Sequence, residues 1–378
     1  MIIAYLLIII LLYFMTIFIR IGQKNKEVIL PVMVMTLAII IMGGSTNNPD
    51  YEIYHSMYLR GDQYKAPGFQ FLIQISKQLG LDYSQFRLLV AAIGYILIYI
   101  SVRRMTDNPY CFWIMYLIYP FCFDAVQLRN FLAMSLLVFA THFLVDKSNT
   151  TRGTVFFLML TIIASTIQVI AIAYLPVVII RKYKSSPLYK AIIILAIILS
   201  ILIGLNKGLS LHIISRYGSV LLNDQTGGAN YLQINNQNGW IINWFEQFAN
   251  YGIIYLASLY CKNNQHFLNV SIRQKAIQYI DLVKEINMYC FLFLPMFSLD
   301  ENYTRIIRNV MVINLIIICY CLRIAEAKSN ALTRQSREYI LCLPFCLSLI
   351  YQSIMFFMMF RTYSNTIFIP LLTQNIFI

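Results

Sequence analysis

Charge is what this chain has least of. Of its 378 residues only 12% are charged, against about 25% in an ordinary soluble domain. Histidine is almost as scarce. His55, His142, His212 and His266 stand far apart, with no spacing that brings two of them to one metal. No glycine-rich phosphate loop or Walker motif occurs, which excludes a P-loop enzyme. No stretch has the pattern of the soluble α/β domain that intracellular nucleotide-sugar chemistry requires, so whatever substrate is used is expected to arrive already attached to lipid. Linkers rich in Ser, Gly or Pro are absent, and so are internal repeats. The simplest organisation is one domain over residues 1–378. The eight cysteines all lie in or beside apolar runs, which argues against a disulfide framework. The close pairs Cys319/Cys321 and Cys342/Cys346 have no histidine or carboxylate cluster beside them and read as helix packing. No metal and no cofactor is expected.

What the chain has in abundance is apolar surface, 59% of its residues. A soluble core cannot hide that much, so the bilayer is the expected solvent. A net charge of +13 then concerns the topology of loops rather than nucleic acid, which is not an expected partner. A crossing needs roughly 20 apolar residues. The candidates are 2–19, 28–44, 86–102, 109–123, 127–145, 154–166, 168–180, 191–205, 241–260, 286–299, 306–322 and 339–360. The predicted fold is therefore all-α and polytopic, with about 12 transmembrane helices. Several are short for a full crossing. With the N-terminus outside, most Lys and Arg fall in short inner loops, as the positive-inside rule demands. Merging 154–180 into one bent helix would flip every later loop and destroy that bias, so two crossings are expected there, and both termini lie outside. Residues 1–20 lack a basic leader and a cleavage site and read as a retained span. Two long outer loops result, 45–85 and 206–240. Within the first, Phe69, Phe71, Leu72, Ile75 and Leu79 recur at near-helical spacing, which predicts an interfacial amphipathic helix over 66–81.

The arginines on the outer side are the informative exceptions. Arg129 starts one strongly apolar run; Arg305 and Arg308 start another and are three residues apart, on one helix face. Arg216 stands in the second long loop beside Tyr217. A guanidinium offers a planar fork of donors suited to phosphate oxygens. Such a set can clamp a lipid-linked pyrophosphate at headgroup level. It can also snorkel to the headgroups or pair with Asp300 and Glu301. In the stretch "NPDYEIYHSMY", residues 48–58, Tyr51, Tyr54 and Tyr58 recur at spacings that give one aromatic face. That face can stack on sugar rings or serve as an interfacial belt. Asp50 can accept a proton from a sugar hydroxyl, or cap the helix that follows.

These pieces resemble the EpsG family of Wzy-type polysaccharide polymerases. The resemblance rests on "NPDYEIYHSMY" (48–58), the Pro-Gly-Phe turn at 67–69, "QLRNFLAMSLLVFA" (127–140), "ASTIQVIAIAYLP" (164–176) and "NYTRIIRNVMVI" (302–313), in that order. Ala66, Asn130 and Gln168 depart from the residues often found there, an acid, Gln and His respectively. Gln168 cannot act as an acid or base, but it can hydrogen-bond a sugar. The resemblance implies a bacterial plasma (inner) membrane enzyme that transfers a glycan from undecaprenyl pyrophosphate to a sugar hydroxyl of another lipid-linked unit, without a metal. It implies Arg129, Asp50 and Arg305 as catalytic groups, with Asp300 or Glu301 as rival bases. Arg308, Arg216, Tyr51, Tyr54, Tyr58, Gln168, Asn130 and Gly68 would bind substrate. The implied partners are the lipid-linked oligosaccharide, the bilayer, and the chain-length regulator and flippase of the same pathway. Two alternatives stand beside it. A flippase would want charges near mid-membrane and an internal repeat. An acyltransferase or ligase would want a telling histidine.

Overall fold

The structure, a computed structural model, describes residues 28–60, 66–106, 109–145, 150–183, 186–206, 239–268, 270–299, 301–331 and 342–377. Among them every regular element is helical: Leu30–Gly44 (α1), Tyr51–Arg60 (α2), Pro67–Gln78 (α3), Tyr83–Met105 (α4), Pro109–Ile118 (α5), Phe121–Val126 (α6), Leu128–Thr141 (α7), Thr150–Ile167 (α8), Val177–Tyr183 (α9), Pro187–Leu205 (α10), Gly239–Asn263 (α11), Val270–Tyr289 (α12), Leu294–Leu299 (α13), Arg305–Ala331 (α14), Leu343–Tyr363 (α15) and Ile369–Thr373 (α16). Four stretches are long and apolar enough to cross a membrane: Tyr83–Met105, Pro187–Leu205, Arg305–Lys328 and Leu343–Thr373. Five shorter apolar helices accompany them. The expected first span, 2–19, lies outside the described residues, as does nearly all of the loop 206–240.

Local chemistry sets the helix starts. Pro stands in the first turn of α1, α3, α10 and α15, where its missing N–H costs nothing. The α3–α4 turn needs Gly80 at φ +72°, a left-handed conformation that glycine reaches without strain. A capping box follows: Asp82 accepts from the Gln85 N–H at 2.8 Å, and Gln85 accepts from the Asp82 N–H at 2.9 Å. Such a cap contributes about 1 kcal/mol.

Helix α14 is the centre of the bundle. Its apolar stretch is 78% buried, whereas that of α10 is 22% buried and lies at the periphery. The segment 150–183 folds back on itself. Arg129, at the start of α7, donates to the Ile167 carbonyl at the end of α8, at 3.2 Å. At the other end of α7, the Leu144 carbonyl receives Arg181 of α9, at 3.0 Å. Thus α8 runs from one end of the bundle to the other, and 168–183 runs back. The return is short in residues but opens with a 3-10 stretch, Val169–Tyr174, which rises about 2.0 Å per residue instead of 1.5 Å. The two passes match the reading of 154–180 as a pair.

Two sequence expectations change. The polar stretch before residue 286 is helical: α12 begins at Val270 and buries Ala276, Tyr279, Ile280, Val283 and Ile286. Its charged outer face lowers the mean hydropathy, so a search for apolar runs sees only the later part. The helix expected over 66–81 forms as α3, but its apolar residues split between two faces. Phe69 and Ile73 turn inward, while Phe71 and Leu79 are 61% and 66% exposed.

One end of this bundle collects the polar pieces. It holds the ends of α1 and α8, the starts of α4, α7 and α14, and helices α2 and α3. The C-terminal residues reach the same end: Ser45 and Asn375 form a β-bridge, the Thr46 N–H donates to the Gln374 carbonyl at 2.8 Å, and Asn375 caps α1 at the Ile41 carbonyl, at 3.0 Å.

Candidate functional site at one end of the bundle

The loop between α1 and α2 carries Asp50, and Arg87 holds that loop in place. Arg87 is 3% exposed. It donates to the Met42 carbonyl at 2.7 Å and to the Ser45 carbonyl, satisfying the open end of α1. Its guanidinium also lies over the rings of Tyr51 and Tyr83, 5.2 and 5.8 Å from their centroids. With the loop fixed, the Asp50 carboxylate turns to the Tyr54 hydroxyl, one helical turn on.

Three arginines converge on that carboxylate. Arg305, Arg129 and Arg308 all act electrostatically on Asp50. Burial pushes the Asp50 carboxyl above its ordinary range; Arg305, the Tyr54 hydroxyl, Arg129 and Arg308 pull it back down, and burial wins. Burial and the Asp50 charge push the Tyr54 phenol up, so it stays a donor at neutral pH.

Each guanidinium is held differently. Arg129 donates to Ile167 and lies over Phe69, 5.9 Å from the ring centroid. Arg308 is 7% exposed. It donates through Nη2 to Gln127 Oε1 at 2.9 Å and lies over Phe123 at 5.2 Å, and its Nε finds no hydrogen-bond partner. Arg305 is half-buried one turn before Arg308. Its positive charge and those of Arg308 and Arg129 repel one another. Like charges crowded into a poorly solvated place favour an anion between them.

The sequence candidates thus divide. Asp50, Tyr54, Arg129, Arg305 and Arg308 come together. Tyr51 packs on Tyr83 and His55 at the edge of the cluster. Tyr58 is buried, its hydroxyl bonded to the Leu81 carbonyl at 2.5 Å, so it ties α2 to the α3–α4 turn. Asn130 is 1% exposed, and its amide is occupied by Asn309 at 3.1 Å, joining α7 to α14. Gly68 is where α3 presses on α8: a Cβ there would sit 2.2 Å from Thr166 Oγ1. Gln168 is half-buried at the break after α8, beside the carbonyl that Arg129 contacts. Arg216 and Asp300 lie outside the described residues, as does the side chain of Glu301.

Two acids escaped the sequence reading. Asp124 on α6 is 1% exposed, and its Oδ2 accepts from the Tyr116 hydroxyl at 2.9 Å. Glu246 on α11 is 2% exposed, and its Oε1 accepts from the Tyr119 hydroxyl at 3.1 Å. Arg308 acts on both. The signal available in sequence was an isolated acid inside an apolar run, which is a functional pointer in a membrane protein.

The order of these pieces along the chain, from the Asp50 loop to the α14 arginines, is matched from end to end by one family model, over residues 27–371. The chain belongs to the EpsG family. This is a family of Wzy-type polysaccharide polymerase-like membrane proteins. Comparison with curated proteins and with solved structures gives no match. For this EpsG-family chain the arginine–carboxylate cluster is the candidate functional site.

Proposed function

We propose that this protein is a polymerase of lipid-linked polysaccharide repeat units, acting at the outer face of the bacterial cell membrane. The observation that carries the reading is the convergence of Arg129, Arg305 and Arg308, from two helices 176 residues apart in sequence at Arg129 and Arg305, on one carboxylate, Asp50. In the proposed reaction the bond between the glycan anomeric carbon and the pyrophosphate oxygen breaks, and its electron pair leaves with undecaprenyl pyrophosphate. The anomeric carbon bonds to a sugar hydroxyl of a second lipid-linked unit, whose proton passes to Asp50. The arginines stabilise the charge that grows on the departing diphosphate, an effect worth a few kcal/mol per well-aimed donor. Asp50 suits the base role because its raised pKa strengthens it as a proton acceptor. Tyr54 fixes the carboxylate, and Tyr51 offers a ring at the edge for a sugar face.

The topology proposed with this reading has about twelve crossings. Basic residues support its orientation: Arg104, Arg181, Lys262 and Lys275 lie at the end of the bundle opposite Asp50, which the positive-inside rule assigns to the cytoplasm. Both termini are then outside. The flippase and the chain-length regulator of the same pathway are the proposed partners.

The test is the size distribution of lipid-linked glycan in a deletion strain. Such cells should export single repeat units and make no long chains, and the wild-type gene should restore the ladder. If the single unit instead accumulates on the inner leaflet, the protein is a flippase and the polymerase reading is lost.

A further inference from the structure

Arg308 sits between charges of opposite sign that the reaction above does not use. Among the described side chains around it, three guanidiniums (Arg129, Arg305, Arg308) meet three carboxylates (Asp50, Asp124, Glu246). With all three carboxylates ionised, this cluster is charge-balanced before any substrate arrives. No described ion pair brings Asp124 or Glu246 into direct contact with Arg308. Both carboxylates are held by phenols instead. Tyr116 from α5 donates to Asp124, with Tyr95 of α4 and Tyr119 also facing it. Tyr119 donates to Glu246, Tyr351 of α15 also bonds it, and Asn250 donates to the Tyr351 hydroxyl at 2.9 Å. From α12 the neighbouring contact is uncharged, between Gln247 and the Asn287 carbonyl. A phenol can donate to a carboxylate or accept from a carboxylic acid. Each acid therefore has a partner in either protonation state, which a salt bridge to arginine would not provide.

Consider a diphosphate entering this balanced, poorly solvated cluster. Two or more negative charges are added within reach of Arg308, and the buried acids become uncompensated. The cheapest relief is to neutralise one of them. We propose that Asp124 and Glu246 take up a proton when a diphosphate occupies the arginine cluster, so that anion binding and protonation of this buried pair are coupled. The coupling rests on the diphosphate reading above. The pair then acts as a positioning element that lets Arg308 stay close to its neighbours when the site is empty and turn its charge toward the anion when it is filled.

The experiment is calorimetric titration of the purified full-length protein with inorganic pyrophosphate near neutral pH, in buffers of low and high ionisation enthalpy. The difference gives the protons taken up per ligand bound. Wild-type protein should take up about one proton more than a variant lacking both buried carboxylates. Glu246→Gln and Asp124→Asn keep side-chain shape and a carbonyl acceptor for the tyrosines. Each should reduce this excess, and the double variant should remove it. The ligand's own protonation is common to all and cancels in the comparison. Pyrophosphate should also bind Glu246→Gln roughly tenfold more tightly, because no carboxylate has to be neutralised first. Unchanged proton uptake in both single variants, or no pyrophosphate binding by the wild type, overturns the coupling. Chain extension in vesicles separates this from the polymerase reading. Coupled pyrophosphate binding without chain extension sinks the polymerase and leaves the coupling. Chain extension with uptake unchanged in all variants does the reverse.

Discussion

Arg129 Nε donates to the Ile167 carbonyl, 3.2 Å away, at the point where α8 stops and the chain turns back. One guanidinium thereby closes the helix end, lies over Phe69, and points its charge at Asp50. A lysine cannot do all three, because its ammonium is a point charge without a planar fork. Arg129→Lys and Arg129→Ala are both expected to lower chain extension by roughly 10²-fold, with membrane insertion intact. The glycan ladder and the amount of protein in the membrane fraction, measured side by side, check this.

If Asp50 is the base, as proposed, it sets a pH dependence. Burial raises its pKa above the ordinary carboxylate range. As a base it works only when ionised, so activity rises as pH rises through that raised value and falls below it. The acid limb of the rate profile should therefore lie above pH ~4, the usual carboxylate range. Asp50→Asn should lose the limb along with the activity. A wild-type profile that is flat down to the ordinary range would assign the base elsewhere.

Gly68 tests how the site is built. An added Cβ would meet Thr166 Oγ1 at 2.2 Å and the Thr166 backbone carbon at 3.1 Å, so α3 and α8 have to separate. Gly68→Ala should cost about 1–3 kcal/mol, seen as a lower melting temperature in detergent. Thr166→Ala removes the nearest atom and should recover part of the loss.

Asn130 and Asn309 form a buried amide pair with contacts of 3.1 and 3.4 Å. Removing one partner leaves the other unsatisfied, at about 1–3 kcal/mol. Asn130→Ala should thus destabilise the protein, and a double-mutant cycle with Asn309→Ala should show coupling. Additive losses would mean that the two amides act independently.

Much of the bundle was legible in the chain. Long apolar runs demand helices in a bilayer, because no water is there to satisfy backbone groups. Arginines out of place at run ends marked Arg129, Arg305 and Arg308, and "NPDY" marked Asp50. The helix α12 was missed because its charged outer face masks its buried one. Asp124 and Glu246 were missed because a single acid in an apolar run gives no sign of what it faces.

What the sequence determined by itself is the class of element and the ends at which charge collects, since hydropathy and charge bias are local along the chain. Only the tertiary structure decided the partnerships. Arg308 with Gln127 spans 181 residues, and Tyr119 with Glu246 spans 127. Such contacts depend on how helices pack, and a charge is balanced by its neighbours in space, whatever their distance along the chain.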